Sequence, residues 1–299
     1  MTHRSGFIAI VGRPNAGKST LLNGLIGTKV AISSDKPNTT RNNIAGIVTK
    51  PDTQFVFLDT PGIHKPQQQL GRVLNKNAYI AMEDADVIGW IVDVTQNFGP
   101  GDEFVLERIK NLHKPTILLV NKTDLLPKDK LIRHLLDWQS KYDFDEIVPI
   151  SARKKENLDE LMTTLEKYLP EGPDLYPEEM VSDHDLSFQL CEIVREKILW
   201  KTHEEIPHSV AVVLEKSEEH GKRLVLSFVV IVDRNSQKGI LIGKGGDMIR
   251  SIRLDAQTEI RAKLNRPVTV ELYVRVEPNW RNKEAKIKEF GIDLQDEKG

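Results

Sequence analysis

Three short patterns place phosphate-binding, metal-ligating and base-recognising groups in an order that makes chemical sense only together. The first is Gly12-Arg13-Pro14-Asn15-Ala16-Gly17-Lys18-Ser19, a G-x-x-x-x-G-K-S loop between the apolar run FIAIV and a helical pattern that opens at Thr20. Its glycines let backbone N–H groups point inward, and with the positive end of the helix they form a cradle for β- and γ-phosphates. Lys18 is placed to bridge those phosphates and the Ser19 hydroxyl to ligate Mg²⁺. The second pattern, Asp59-Thr60-Pro61-Gly62-Ile63, ends the run FVFL. A carboxylate there holds the metal through its water shell, and the Gly62 N–H is placed to sense a γ-phosphate.

The third pattern, Asn121-Lys122-Thr123-Asp124, ends the run ILLV. The Asp124 carboxylate matches the N1–H and N2–H₂ donors that guanine displays side by side. Adenine lacks both and would leave the carboxylate partly unpaired, so the expected base is guanine and a P-loop kinase or ATPase is disfavoured. Asn121 is expected to brace the loops and the Lys122 stem to cover the base. Ser151-Ala152-Arg153 ends the run IVPI, with the Ala152 N–H in reach of guanine O6.

These loops need a scaffold that delivers them to one edge. The runs GFIAIVG, TQFVFLDT, VIGWIVDV, TILLVNK and EIVPIS alternate with amphipathic helical stretches, which predicts an α/β P-loop domain with a doubly wound, mostly parallel sheet over residues 1–170. An acidic linker follows at 171–184, overlapping the Pro-, Gly- and acid-rich stretch LPEGPDLYPEEMVSD from Leu169. Residues 185–292 read as a small α+β domain: a helix at 185–201, strands at 209–215 and 224–232, a Gly-rich turn, a helix at 246–264 and a strand at 268–276. Residues 293–299 are left as a tail.

The second domain has its own motif, Gly243-Lys244-Gly245-Gly246, within ILIGKGGDMIRSI. A G-x-x-G turn into a helix lets backbone approach nucleic-acid phosphates. Net charge over the whole 299-residue chain is only −2, but residues 171–233 carry −8 and 234–290 carry +6. Lys244, Arg250, Arg253, Lys263 and Arg266 are therefore expected to contact phosphates. Ile240, Ile242 and Ile249 either wall a groove for unpaired bases, favouring single-stranded RNA, or belong to the core. The single cysteine, Cys191, excludes an intrachain disulfide. The longest apolar stretch, VLSFVVIV from Val225, is far short of the roughly 20 residues that span a bilayer, and a cytoplasmic protein is expected.

On these motifs the first domain resembles the translation-factor-like GTPases, and the second resembles KH (type II) domains. The resemblance makes KVAISSDKPNTTRNNIAG a switch I loop, in which Thr40 is the favoured Mg²⁺ ligand and Thr39 the alternative. Lys18, Thr40 and Gly62 then form the expected catalytic set. Ile63 stands where Ras-like switches place a water-orienting glutamine, so slow intrinsic hydrolysis is expected. His64 reads as a solvated side chain outside that set. Some relatives with a hydrophobic residue at this position hold K⁺ through a P-loop asparagine, which Asn15 matches.

Taken together, the two halves resemble the Era family of bacterial ribosome-assembly GTPases over about residues 5–292. That resemblance implies GTP/GDP and Mg²⁺ as cofactors, binding near the 3′ end of 16S ribosomal RNA, a role in 30S subunit maturation, and peripheral contact with the inner cell membrane. A monomer is expected. Trp280, Ile287 and Phe290, among Arg281, Lys283, Lys286 and Lys288, read either as a surface-seeking membrane element or as the end of the KH domain. The rival is a membrane-associated signalling GTPase whose second domain binds protein or lipid.

Overall fold

A computed structural model describes residues 3–204 and 206–292, so the expected tail at 293–299 lies outside the described residues. The first half runs β1 (Arg4–Val11), α1 (Lys18–Ile26), β2 (Ile44–Lys50), β3 (Thr53–Asp59), α2 (Gln69–Asp84), β4 (Val87–Asp93), α3 (Pro100–Lys110), β5 (Thr116–Asn121), α4 (Lys128–Gln139), β6 (Glu146–Pro149) and α5 (Leu158–Glu166). The sheet order is β2-β3-β1-β4-β5-β6. Only β2 is antiparallel, along β3; the other pairings are parallel. The apolar runs are continuous because both faces of the sheet are covered. On β1, Ile8 and Ile10 face a core with Leu21, Phe55 and Phe57, while Ala9 and Val11 face one with Trp90 and Trp138. Strand order reverses direction between β1 and β4, the position where doubly wound sheets leave a crevice at their C-terminal edge.

The edge strand β2 has no boundary signal in the sequence, because IAGIVTK follows the switch-like loop without a break. The acidic segment is also less free than its composition suggests. Gln54 of β3 accepts from the Leu175 and Tyr176 N–H groups through its side-chain oxygen, at 2.7 and 2.9 Å. Ile47 of β2 donates to the Val181 carbonyl at 3.1 Å, and Ser182 bridges to Gly46. The segment thus covers the outer edge of the sheet, where unpaired backbone would otherwise lie exposed.

The second half comprises α6 (Leu186–Lys201), α7 (Ile206–Ser209), β7 (Ala211–His220), β8 (Arg223–Val232), α8 (Asn235–Ile242), α9 (Asp247–Leu264), β9 (Val268–Val276) and α10 (Glu284–Glu289). Its sheet is β7-β8-β9, antiparallel then parallel. Helix α8 replaces part of the expected Gly-rich turn. Its buried Gln237 accepts the Asp233 and Arg234 N–H groups at 2.9 and 3.1 Å, and Leu241 enters the core, so Gly239 is carried inside a helix.

Strand β8 has two buried faces. Leu226, Phe228 and Val230 pack with residues of α6 and α9, while Val229 and Ile231 join Trp280, Ile287 and Phe290 in a cluster shared with Leu70, Val73 and Leu74 of α2. The surface-seeking reading of Trp280, Ile287 and Phe290 is therefore corrected: these side chains are buried between the domains. No helix among the described residues is long and apolar enough to cross a membrane.

Candidate nucleotide and nucleic-acid sites

Gly17 begins α1 at φ 106°, and a Cβ there would lie 2.2 Å from the Asn121 amide nitrogen. Only glycine allows the loop this turn and this approach. Lys18 is buried, its ammonium donating to the Gly12 and Arg13 carbonyls at 3.3 and 3.0 Å. Burial lowers its pKa to about 8 despite the nearby Asp59 carboxylate. Arg13 leaves the cradle to pair with Asp102 of α3 at 3.1 Å. Ala16 packs in the core, and its carbonyl accepts from the Asn121 side chain at 2.8 Å.

Ser19, Thr40 and Asp59 converge. Ser19 Oγ donates to Asp59 Oδ2 at 2.7 Å, Thr40 Oγ1 donates to the same oxygen at 3.0 Å, and the two hydroxyls are 3.0 Å apart. Thr39 turns away, its hydroxyl donating to the Lys36 carbonyl at 2.6 Å. Asp59 is fully buried, which pushes its carboxyl pKa up against the counteracting effects of Lys18, Ser19 and Thr40; its Oδ1 is buried without a partner. An unpaired buried carboxylate oxygen beside two hydroxyls suits a hard divalent cation that takes oxygen ligands, so the donor set fits Mg²⁺.

Thr60 ties the following turn to β1 by donating to the Ile10 carbonyl at 2.9 Å, and Pro61 is buried behind it. A Cβ on Gly62 would approach Pro14 to 2.8 Å, so the turn lies directly against the phosphate loop. Ile63 donates its N–H to the Gly12 carbonyl at 3.1 Å and its side chain is 0% exposed in the β1–β4 core. His64 Nδ1 lies 2.9 Å from the Gly62 carbonyl, and Asn75 donates to the His64 carbonyl at 2.7 Å.

At the base end, Asn121 accepts the Ala152 N–H at 2.9 Å while holding Ala16. The Ala152 N–H expected at guanine O6 is thus engaged by Asn121. Lys122 donates to the Asn15 carbonyl at 3.0 Å and to Asp93 at 2.6 Å. Burial raises the Asp93 pKa, but the bonds from Lys122 and Thr95 outweigh it and the net shift is downward. Thr123 donates to the Ile150 carbonyl at 3.0 Å, and Ser151 Oγ donates to Asp124 at 2.6 Å, orienting an otherwise exposed carboxylate.

A cavity of about 400 Å³ gathers most of the residues expected to hold phosphate and metal. Lys18, Ser19 and Thr20 line it from α1, Thr40 and Gly62 from the two switch-like loops, and Lys122 and Arg153 from the base end. Its far wall, Ser33 to Lys36 with Asn38, was legible only as a loop. There Asn15 donates to the Asp35 carbonyl at 2.6 Å.

In the second domain Gly243, Gly245 and Gly246 all have positive φ, and a Cβ built at Gly245 or Gly246 would meet nothing within 4 Å. The turn is open to solvent at the N-terminus of α9, with Lys244 and Arg250 exposed. Ile240 is exposed, and Ile242 and Ile249 are partly so; the core is filled instead by Leu241, Ile252, Ala256 and Ile260. None of the three isoleucines belongs to that core. Arg253 contacts Gln257 at 3.4 Å, while Arg266 is engaged by Glu219 at 3.0 Å.

Residues 7–122 match the family model described as a 50S ribosome-binding GTPase, and residues 205–281 match the KH domain model. A crystal structure of Era in complex with MgGDPNP and nucleotides 1506–1542 of 16S ribosomal RNA is 42% identical, covering 98% of this chain and 100% of that one, with a TM-score of 0.95. A crystal structure of a single-substitution variant of Aquifex aeolicus Era bound to GDP·AlF₄⁻ is also 42% identical, covering 97% and 100%, with a TM-score of 0.94. The chain belongs to the Era family. The Era architecture of a P-loop GTPase domain followed by a KH domain accounts for both motif sets, with mostly parallel and mixed sheets respectively.

Proposed function

We propose that this Era-family chain is a GTP-hydrolysing switch that binds single-stranded RNA at the 3′ end of 16S ribosomal RNA through its KH domain and serves maturation of the 30S subunit. The observation that carries this reading is likeness over nearly the whole chain to an Era captured with both MgGDPNP and that RNA segment. The division into a GTPase domain at 1–170, a linker at 171–184 and a KH domain at 185–292 belongs to the same reading, as does a cytoplasmic monomer.

In this reading the phosphate loop and Lys18 bind the β- and γ-phosphates, Ser19 and Thr40 ligate Mg²⁺, Asp59 holds it through water, and Asp124 selects guanine. Bound Mg²⁺ neutralises charge on the phosphates. Burial of Ile63 leaves no side chain at that position to orient the attacking water, which supports slow intrinsic hydrolysis. Asn15 lines the phosphate cavity, where its side-chain oxygen would be the ligand for K⁺ and a cation would stabilise developing negative charge. Lys244, Gly245, Gly246, Arg250 and Arg253 bind RNA phosphates, and Ile240, Ile242 and Ile249 receive bases.

The test is binding of a labelled RNA from the 16S 3′ end in the presence of a non-hydrolysable GTP analogue or GDP. Tighter binding with the GTP analogue is expected. Absence of RNA binding in both states overturns the reading in favour of a membrane-associated signalling GTPase.

A further inference from the structure

Five consecutive residues, Thr39 to Asn43, divide their contacts in a way that the nucleotide site alone does not require. Thr40 reaches inward to Ser19 and Asp59. The residues around it are all gripped from outside. The Thr39 carbonyl accepts from Arg195 of α6, Arg41 donates to the Val210 and Pro207 carbonyls at 2.6 and 3.3 Å, and Asn42 donates to the Gly291 carbonyl at 2.7 Å. Asn43 donates to the Asn77 carbonyl of α2 at 2.8 Å. Helix α6 also holds the start of the cavity wall: Glu196 accepts the Ser33 N–H at 3.1 Å, and Trp200 donates to the Ser33 carbonyl at 3.0 Å.

We infer that Arg195, although carried by the KH domain, is a positioning residue of the GTPase centre, holding Thr40 at the metal site through the Thr39 carbonyl. This rests on the GTPase reading above. Thr39 to Asn43 lie in irregular backbone between the cavity wall and β2, so no regular ladder sets the position of Thr40. Arg195 is 3% exposed, and its Nε and Nη2 both donate to Glu192, each at 2.6 Å. A buried ion pair of this type contributes little net stability over an apolar pair of equal size. What it supplies is a fixed, charge-assisted donor aimed at one carbonyl. Because the Thr39 carbonyl is bonded directly into the Thr40 peptide unit, loosening it shifts the Thr40 hydroxyl relative to Ser19 and Asp59. Small displacements of this kind are large in rate terms.

The experiment compares wild type, Arg195→Ala and Arg195→Lys as full-length chains, reading single-turnover hydrolysis at saturating GTP across a Mg²⁺ titration, with GDP affinity measured in parallel. Wild-type hydrolysis is the check on the GTPase reading itself, and its absence would sink that reading before any variant is compared. The expected result is that Arg195→Ala lowers the rate about tenfold and raises the Mg²⁺ midpoint, leaves GDP affinity within about twofold, and is rescued in part by Arg195→Lys, which keeps a charged donor for Thr39 but loses the bidentate anchor to Glu192. Wild-type rate and Mg²⁺ midpoint in Arg195→Ala would overturn the inference. So would equal losses of GDP and GTP binding without rescue by lysine, the pattern of mere structural damage. If Arg195→Ala does not fold, Glu192→Gln, which leaves Arg195 in place but weakens its anchor, is expected to move the rate and midpoint the same way by a smaller factor; no change there also overturns it.

Discussion

The Thr40 hydroxyl donates to Asp59 Oδ2 across 3.0 Å, whereas the hydroxyl of its neighbour Thr39 is turned to the Lys36 carbonyl. One threonine of an adjacent pair therefore points to the Ser19–Asp59 cluster and the other to the loop that carries it. The amino-acid sequence left this choice open, because two consecutive hydroxyls have the same chemistry and only the path of the backbone separates them.

Substituting each in turn tests the assignment. Thr40→Ala removes a metal-site oxygen and leaves the Ser19–Asp59 contact, so affinity for a GTP analogue in Mg²⁺ should fall by about tenfold or more, with GDP affinity little changed. Thr39→Ala should change both by less than about threefold. Nucleotide titrations of the two variants would contradict the assignment if the order were reversed.

The proposed function assigns base selection to the Asp124 carboxylate, which accepts from Ser151 Oγ at 2.6 Å. Asp124→Asn replaces the acceptor facing the guanine N2 amine by an amide N–H donor, which matches the carbonyl that xanthine carries at C2, and should move preference from guanine to xanthine nucleotides by about a hundredfold. Competition between GDP and XDP measures the shift. Unchanged selectivity would refute the role given to this loop.

Whatever depends on local pattern is legible in the amino-acid sequence. The strands FIAIV, FVFL and ILLV, and the loops that follow them, are fixed by short apolar runs next to glycine, proline and lysine. What escaped depended on distant contacts. Strand β2 is defined by pairing with β3, α8 is a helix in spite of Gly239, and Trp280 and Phe290 are buried where α2 packs against them. The path from α6 to Thr39 joins residues 156 positions apart, and no periodicity reports it.

The Lys18 ammonium gives nucleotide binding a pH dependence of definite sign. Burial lowers its pKa to about 8 in the chain without nucleotide, so above that pH most molecules hold it neutral. Bound phosphate favours the charged form, and binding must then take up a proton. The Kd for GDP is expected to be flat between about pH 7 and 7.5 and to rise by up to about tenfold per pH unit above about 8. Calorimetry in two buffers of different ionisation enthalpy should show proton uptake at pH 9; a Kd constant to pH 9.5 would exclude this role.

Asn15 stands at the edge of the phosphate cavity with its amide N–H donated to the Asp35 carbonyl at 2.6 Å, so its side-chain oxygen, not the amide nitrogen, is the atom that would hold K⁺. If K⁺ sits there, hydrolysis should run several-fold faster in KCl than in NaCl at equal ionic strength, about a factor that one added charge at a phosphoryl group supplies when partly solvated. Asn15→Ala should abolish the difference. Equal rates in both salts for the wild type would remove K⁺ from the mechanism.

The open G-x-x-G turn separates RNA binding from folding more cleanly than its sequence suggested. Gly243 is a poor place for a probe, since a Cβ there would lie 2.7 Å from Met248 Cβ and would disturb the start of α9. Gly245 has open space around it at φ 63°, a left-handed conformation that aspartate tolerates better than most residues. The Lys244→Asp, Gly245→Asp pair should therefore fold, retain GTP hydrolysis within about twofold, and lose RNA affinity by about a hundredfold or more, because two carboxylates face the phosphates where a cation and bare backbone stood. RNA binding by this variant at wild-type strength in low salt, measured with the same labelled oligonucleotide, would move the RNA site elsewhere on the KH domain.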